Sequence, residues 1–183
     1  MPSARLLNCH PATPARGEIS IDVEAAVSEY NQIVLRFELH GDLSKLVVPP
    51  PARYGERRDG LWQATCFEAF VRSVGDQYVE INLSPSTAWA AYVFDTYRGE
   101  PTLPEIDSPP LDIDRESDLL RLTAAVDLSG VEFLGGHDQW EVNLTAVIEE
   151  TDGTKSYWAL AHPSGKPDFH HPDGFVLELP ASA

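Results

Sequence analysis

The sequence predicts an all-β protein whose antiparallel sheets pack as a sandwich or close as a barrel. Three observations support this prediction: many short segments alternate apolar and polar residues, turn-forming residues separate them roughly every 8–12 positions, and no longer segment keeps a helical period. Successive side chains of a strand point to opposite faces, so each such segment has one face to bury. Without crossover helices the strands pair antiparallel, and we expect about nine or ten of them.

The first part of the chain begins with an irregular stretch and continues as strands. Residues 1–17 contain several prolines and no alternation, so we expect an irregular N-terminal segment followed by a single domain from 18 to 183. A short strand is expected to begin at Leu43 and to end at the three prolines of 49–51, before an exposed basic loop over 51–60. The other strands expected here are residues 18–27 and 32–40, with a turn at Tyr30 and Asn31 between them.

The hairpin around Gly75 decides which residues share a face of the sheet. Its apolar rows are Phe67, Ala69 and Val71 in the first strand and Val79, Ile81 and Leu83 in the second. Strand register follows the hydrophobic pattern, and a loop with an odd number of residues centred on Gly75 puts both rows on one face. We therefore predict that Glu68 pairs with Asn82 and that Phe70 pairs with Glu80.

The second part of the chain contains a long connector and two further hairpin strands. Residues 99–117 are rich in proline and acidic residues, which predicts a connector. Asp152 and Gly153 predict a tight hairpin turn, and residues 163–174 predict a polar loop. The strands expected here are residues 118–128, 139–149, a return strand over 155–162 and a last strand that ends at Leu179.

Composition and charge exclude several classes of partner. The 183 residues carry a net charge of -16, from 29 acidic and 13 basic side chains. Nucleic acids and anionic membrane surfaces both require clustered Lys and Arg, so neither is expected as a partner. No apolar stretch has the length of a signal-peptide core or a membrane span, which predicts a soluble, cytoplasmic protein. The two cysteines are too few for a disulfide scaffold, and the oligomeric state stays open.

The second face of the Gly75 hairpin is the candidate functional surface. It carries carboxylates, an amide, an arginine and aromatic rings, and such a mixture suits a neutral polyol whose C–H faces stack on rings while its hydroxyls bond fixed polar groups. Of the four tryptophans, Trp62 is the best candidate because it stands at a strand entry after a loop. Glu68 and Glu80 could also form the pair of acids that glycoside hydrolysis needs, although paired strand carboxylates that face solvent are commoner.

The chain resembles the bacterial DOMON-like ligand-binding domains, which are in turn similar to the family 9 carbohydrate-binding modules of xylanases. The residues that carry the resemblance are Trp62, Glu68 within CFEAFV, YVEINLSP at 78–85 with Trp89 beyond it, WEVNLTAV at 140–147 and the loop at 166–170. The resemblance covers most of the chain from about Glu18 onward, as an ordering of strands. It implies a non-catalytic, two-sheet antiparallel β-sandwich with jelly-roll or immunoglobulin-like topology.

The resemblance also implies a concave binding site. Relatives of this kind bind sugars or haem, and in the sugar binders aromatic rings stack on the sugar while amides and carboxylates bond its hydroxyls. The ligand-binding residues that this implies, together with the polar face, are Trp62, Glu68, Arg72, Glu80, Asn82, Trp89, Lys166, Asp168 and His170.

Haem and metal binding find little support in the sequence. In some haem-binding relatives a Met and a His hold the iron, but the only methionine here is Met1. Ligation of haem iron by two histidines would require two of the six histidines to lie close together in the fold. The six are His10, His40, His137, His162, His170 and His171. The group of His162, Asp168, His170 and His171 fits no standard zinc spacing. The sequence thus requires no cofactor and no metal.

Three functional hypotheses remain at this point. The first is a non-catalytic module that binds a small, carbohydrate-like ligand on the polar face. The second is a hydrolase or isomerase that works on the same face. The third is a protein-interaction domain that uses exposed strand edges.

Overall fold

The computed structural model describes residues 4–28 and 30–181, and these form two antiparallel sheets with no α-helix among them. None of the helical turns in this part of the chain has the length and apolar character needed to cross a membrane. The strands are β1 (Arg5–Leu6), β2 (Asn8–Cys9), β3 (Ser20–Val27), β4 (Gln32–His40), β5 (Cys66–Arg72), β6 (Tyr78–Leu83), β7 (Trp89–Phe94), β8 (Leu111–Arg115), β9 (Leu119–Asp127), β10 (Gln139–Glu149), β11 (Lys155–Ala159) and β12 (Leu177–Pro180). Short 3-10 helices span Leu43–Lys45, Leu61–Gln63, Glu132–Leu134 and Pro172–Gly174.

The two sheets contain five and seven strands. The five-stranded sheet has the order β1-β3-β4-β9-β8. The seven-stranded sheet has the order β2-β11-β10-β5-β6-β7, and β12 also pairs with β10. The long strand β10 pairs with β12 over its first residues and with β11 over its last ones. The all-β antiparallel sandwich that the sequence predicts is therefore confirmed.

The main core lies between the two sheets and is built from the alternating positions of their strands. In β3 the buried positions are Ile21, Val23 and Ala25, and in β4 they include Phe37, which packs against Phe67 of the other sheet. Apolar side chains of both sheets thus belong to one continuous cluster. Burial of this row of side chains stabilises the sandwich, at about 25 cal/mol per Å² of apolar surface removed from water.

The predicted register of the β5–β6 hairpin is confirmed. Glu68 pairs with Asn82, Phe70 pairs with Glu80, and Arg72 pairs with Tyr78, so the loop between the strands has an odd number of residues around Gly75. Gly75 has a φ of 98°, in the left-handed region that glycine adopts without strain. The apolar rows of both strands consequently face the other sheet, and the polar rows face away from it.

Three local expectations are wrong. The short strand expected from Leu43 is a 3-10 helix, because the Asp42 side chain accepts a hydrogen bond from the Ser44 backbone N–H and caps the turn. The connector expected over 99–117 contains β8, whose brief alternation is hidden among acidic residues and prolines and which pairs with β9. The N-terminal segment expected to be irregular contains β1 and β2 in its described part, and each adds an edge to one sheet.

A second layer covers the outer face of the seven-stranded sheet. Loops at 51–63, 95–101 and 160–176 lie over this face. Phe169 and Phe175 of the last loop and Phe70 of β5 belong to a smaller apolar cluster between this loop and the sheet. The last of these loops is held by Asn143 of β10, whose side-chain NH2 donates a hydrogen bond of 3.1 Å to the carbonyl of Phe169. This buried contact joins the loop to the sheet.

The contact between Gly174 and Asn143 leaves no room for a larger residue. A Cβ atom at Gly174 would lie 2.6 Å from the side-chain nitrogen of Asn143. We expect Gly174→Ala to lower the free energy of unfolding by about 1–3 kcal/mol, because the buried amide must shift and weaken its bond to the loop. Urea denaturation followed by tryptophan fluorescence measures the change.

The matched control is Gly135→Ala. Gly135 has a φ of −72°, which alanine adopts freely, and its new Cβ would have its nearest contact at 3.4 Å from the carbonyl oxygen of Glu132. Equal stability losses in the two variants would contradict this account of the loop anchor.

Candidate functional site on the outer face of the seven-stranded sheet

A cavity of about 400 Å³ opens on the outer face of the seven-stranded sheet, beneath the three covering loops. We call it the outer cavity. The residues that line it are Trp62, Glu68, Glu80, Tyr92, Phe94, Arg98, Pro101, Val147, Tyr157, Pro167, Phe169 and His170. Its volume lies within the range of about 300–1,000 Å³ that small-molecule sites occupy.

The strand registers explain how these side chains meet. Glu80 of β6 pairs with Phe70 of β5 on one side and with Tyr92 of β7 on the other. Directly paired residues of neighbouring strands point to the same face. Tyr92 therefore stands beside Glu80, and the same rule puts Tyr157 of β11 on the face of its partner Val147.

Aromatic rings form much of the cavity wall. The Trp62 side chain lies in the 3-10 helix Leu61–Gln63, is 43% exposed and meets Tyr92 edge-on with ring centroids 6.0 Å apart. The Tyr92 hydroxyl donates a hydrogen bond of 2.6 Å to Asp59, which fixes the ring against the 51–63 loop. Phe94 stacks on Tyr78 with centroids 4.8 Å apart. These rings are held in place by the protein and leave open apolar surface toward the cavity.

The floor of the cavity carries two buried carboxyl groups. Glu68 and Glu80 are only 2% and 6% exposed. Oε1 of Glu80 accepts a hydrogen bond of 2.7 Å from the side-chain amide of Asn82. Oε2 of Glu68 accepts one of 3.4 Å from the hydroxyl of Thr145, whereas its Oε1 is buried and has no hydrogen-bond partner among the residues that the structure describes. A buried carboxyl oxygen without a partner costs free energy that a bound ligand can restore.

Burial raises the pKa of both carboxyl groups above the usual value for glutamic acid. For Glu68 the removal of water is the main cause and the nearby charge of Glu80 adds to it, while the bond from Thr145 acts in the opposite direction. For Glu80 the removal of water again raises the pKa, and the Asn82 bond and the charge of Arg98 oppose it. Glu68, whose pKa is raised further, is therefore the group of the two that more readily keeps its proton.

Arg98 projects a guanidinium group into the cavity from the 95–101 loop. Its Nε and Nη2 both donate to Oδ1 of Asp168, at 3.2 and 2.7 Å, and the Tyr97 hydroxyl donates to Oδ2 of the same carboxylate. The backbone of Arg98 has a φ of 52°, which is uncommon for a residue with a side chain, and its N–H donates to the Tyr78 hydroxyl. An unfavourable backbone conformation of this kind persists where several surrounding interactions hold it, and the hydrogen bonds of Arg98 do so here.

His170 links the covering loop to the polar floor. Its Nδ1 is hydrogen-bonded to the Tyr78 hydroxyl at 2.8 Å, and its Nε2 lies 3.7 Å from Oε2 of Glu80. Burial lowers the pKa of His170 to about 4, and the positive charge of Arg98 acts in the same direction. The imidazole is therefore neutral at physiological pH and contributes hydrogen-bonding atoms, not a charge.

The structure brings six of the nine sequence-predicted residues together. Trp62, Glu68, Glu80 and His170 line the cavity. The other two contact residues that line the cavity. Asn82 is fully buried and donates a hydrogen bond to Glu80, and Asp168 holds the guanidinium group of Arg98.

The remaining three predicted residues lie elsewhere. Trp89 is 5% exposed and packs in the core between the sheets, because it pairs with Leu83 and so shares the apolar face of that residue. Arg72 is at the far end of β5, where it pairs with Glu141 at 2.6 Å and covers the Phe175 ring. Lys166 is exposed next to Gly165, outside the set of residues that line the cavity. For these three the expected contact with a ligand is not supported.

Two of the candidate histidines lie in different places in the described part of the chain. His162 packs edge-on against His10, and its Nε2 is hydrogen-bonded to the carbonyl of Asn8, whereas His170 lies in the outer cavity. Within residues 4–28 and 30–181, no three side chains of the types His, Cys, Asp and Glu are placed to hold a metal ion. Met1, the methionine considered above, lies outside these residues.

Sequence reasoning missed several lining residues, and for some of them a signal existed. Tyr92 and Phe94 pair with Glu80 and Tyr78 and therefore share their face of the sheet. The alternation used for the Gly75 hairpin would have predicted this if it had been extended to the next strand, β7. Val147 and Tyr157 would have followed from the hairpin at Gly153 in the same way. Arg98 has no such signal, because only its loop brings it over the sheet.

The arrangement suits a ligand that has both apolar and hydroxylated surfaces. Fixed rings offer flat apolar contacts, while Glu68, Glu80, His170 and Arg98 offer hydrogen-bond donors and acceptors from several directions. Most of these polar groups are already held by bonds within the protein, so they lose little conformational entropy when a ligand binds.

The lowered pKa of His170 predicts how stability depends on pH. The unfolded chain binds a proton at this residue below about pH 6.5, whereas the folded protein does so only below about 4, so stability falls as the pH is lowered through this window. We expect the His170→Asn variant to lack this contribution, which is on the order of 3 kcal/mol because each unit of difference between the folded and unfolded pKa corresponds to about 1.4 kcal/mol. Urea denaturation of both proteins at several pH values measures it.

The test compares the pH dependence of the free energy of unfolding in the wild type with that in the His170 variant. The raised pKa values of Glu68 and Glu80 make stability fall as the pH rises, and this opposite effect is present in both proteins. His137→Asn is the matched control, since His137 lies in the loop before β10 and away from the cavity. Parallel pH profiles for the wild type and the His170 variant would refute the burial effect.

Comparisons with known proteins find similarity among solved structures. No family model matches the chain, and no curated protein matches it by sequence. A protein of Bacteroides uniformis, provisionally described as carbohydrate-binding, superposes with a TM-score of 0.68 at 14% identity, over 98% of this chain and 86% of that one. A family 9 carbohydrate-binding module of Caldicellulosiruptor kristjanssonii superposes with a TM-score of 0.57 in its cellotriose complex and 0.56 in its glucose complex.

These modules are similar in fold and distant in sequence. The cellotriose complex shares 9% identity over 98% of this chain and 82% of the module, and the glucose complex shares 10% over 96% and 83%. At such identities the likeness shows the fold alone. The chain is thus similar in its two-sheet β-sandwich to family 9 carbohydrate-binding modules, and the resemblance seen in the sequence is confirmed at this level.

Proposed function

We propose that this protein is a carbohydrate-binding module and that one sugar ring occupies the outer cavity. The observation that carries the proposal is the combination of fixed aromatic walls with two buried carboxyl groups on one cavity floor. A sugar ring has apolar C–H faces and a rim of hydroxyls, so it needs both kinds of contact at once.

The aromatic part of the proposed site centres on Trp62. Its ring is the most exposed large aromatic surface among the lining residues, and its edge-on contact with Tyr92 holds it in place. An indole that is fixed before binding can stack on a sugar at low entropic cost. Tyr157, half-buried on β11, offers a second ring to the same space.

The polar part of the proposed site is formed by Glu80, His170 and Glu68. The free Oε1 of Glu68 can exchange a hydrogen bond with a ligand hydroxyl, which would remove the cost of leaving that oxygen unpartnered. Asp168 belongs to the proposed site as a positioning residue, because it holds the Arg98 guanidinium group at the cavity rim.

The structural neighbours support the same ligand class. Two of them are modules in complex with cellotriose and with glucose. The net charge of -16 is compatible with neutral or cationic ligands and disfavours anionic ones. Within the carbohydrate class, we expect short oligosaccharides or monosaccharides, since the cavity has room for about one ring.

Replacement of Trp62 tests the proposal directly. We expect Trp62→Ala to weaken binding of a glucose-based ligand by about tenfold or more, because stacking on the indole is lost while the remaining polar contacts stay. Isothermal titration calorimetry with glucose and cellotriose measures the affinity, after a screen of monosaccharides if neither binds.

Tyr30→Ala is the matched control for the loss of an exposed aromatic ring. Tyr30 is 71% exposed in the turn between β3 and β4, on the other sheet. Its affinity should equal that of the wild type. An unchanged affinity in the Trp62 variant, or the same loss in both variants, would place sugar binding outside the outer cavity.

A further inference from the structure

We propose that the sugar ring held in the outer cavity carries a positively charged amino group, which Glu68 and Glu80 bind together. This inference rests on the proposed function and narrows its ligand to amino sugars. It follows from the charges that face the cavity, from one unpartnered oxygen and from the aromatic walls.

Carboxyl groups outnumber available cations at the cavity floor. Glu68 and Glu80 stand at diagonal positions of neighbouring strands, where Cα atoms are roughly 7–8 Å apart, so an ammonium group can lie between the two side chains. Both groups line the same cavity and both are almost fully buried. A neutral ligand does not favour ionisation of both groups, whereas a bound cation stabilises the two carboxylates together.

The positive groups nearby do not supply that cation. Arg98 directs both Nε and Nη2 to Asp168, so its charge is matched by a carboxylate of its own. His170 faces Glu80 but is neutral above about pH 4, since burial lowers its pKa to about that value. Arg57 lies over the Tyr92 ring, but its Nη1 is paired with Asp59 at 2.9 Å. The Tyr78, Tyr92 and Tyr157 phenols and the Cys66 thiol on this face carry no positive charge in any state.

The unpartnered oxygen of Glu68 indicates where the amino group binds. Glu68 lines the cavity, and its Oε1 is buried and has no hydrogen-bond partner among residues 4–28 and 30–181. An ammonium group donates three hydrogen bonds, enough to reach this oxygen and Oε2 of Glu80, which is the oxygen that Asn82 leaves free. Hydrogen bonds between charged groups are about twice as strong as those between neutral ones.

The aromatic walls favour the same kind of ligand. Trp62, Tyr92 and Tyr157 surround the two carboxyl groups. Ring faces attract cations, and aromatic cages with acidic residues are a common way to bind ammonium groups. The strongly negative charge of the whole chain draws a cation toward the site as well.

Binding of the amine must release a proton. Without ligand, burial and the charge of Glu80 raise the pKa of Glu68 and so favour its protonated form. The bound ammonium favours the ionised carboxylate, so the proton leaves Glu68 for the solvent and the amine keeps its own. Affinity for an amino sugar should therefore rise as the pH increases over the range in which Glu68 loses its proton and the amine keeps its charge.

The experiment compares three ligands that differ at one position of the ring: glucosamine, N-acetylglucosamine and glucose. We expect glucosamine to bind the wild-type protein at least about tenfold more tightly than either neutral sugar at pH 6. Calorimetry in buffers of different ionisation enthalpy should show up to about one proton released per glucosamine bound, and none for glucose.

Two variants locate the effect. Glu68→Gln keeps the shape of the side chain but removes its ionisation, and should reduce the preference for glucosamine over glucose together with the released proton. Glu24→Gln removes one negative charge from β3 of the other sheet and should keep the full preference. Circular dichroism checks that both variants fold. If one does not, the affinities of the wild-type protein for the three sugars still test the inference.

The possible outcomes separate the two proposals. If the three sugars bind with similar affinity and no proton is released, the amino-sugar inference is wrong and carbohydrate binding stands. A preference that survives in Glu68→Gln also overturns the inference. If neither these sugars nor any other binds, both proposals fail.

Discussion

The pairing of β5 with β6 across Gly75 is the constraint on which the rest of this protein depends. Side chains alternate along a strand, so a shift of the register by one residue would turn the slipped strand over and put either Glu68 or Glu80 into the core between the sheets. The observed register keeps both carboxyl groups on the outer face and leaves Phe67 and Ile81 to pack against the five-stranded sheet. One odd-numbered loop thus separates the stabilising face of the sheet from the binding face.

The outer face has an energetic cost that the covering loops partly offset. Two carboxyl groups that are removed from water destabilise the fold unless they are protonated or hydrogen-bonded. Asn82 and Thr145 each supply one bond, and the apolar cluster of Phe70, Phe169 and Phe175 holds the 160–176 loop over the face. The result is a wall of rigid groups around a cavity, and such pre-organisation is typical of a binding site.

The loops complete the site because the sheet alone offers a half-open surface. Arg98 and His170 reach the cavity from loops that are far apart in the chain, and both are tied to the Tyr78 hydroxyl, one through its backbone N–H and the other through its ring. Tyr78 therefore couples two covering loops to the strand that carries Glu80. A change in either loop is expected to reach the floor of the cavity through this hydroxyl.

The sequence by itself determined the all-β class, most strands, the register at Gly75 and the face that carries Glu68, Glu80 and Asn82, because all of these follow from period-two alternation. It missed β1 and β2, which have two residues each and show no alternation, and β8, whose alternation lies within a stretch rich in proline and acidic residues. It also assigned Trp89 to the site, although pairing with Leu83 buries that ring in the core. Only the tertiary structure decided that Arg98, Phe169 and His170 meet above the sheet, since loop paths depend on contacts between residues distant in the chain, which no local pattern records.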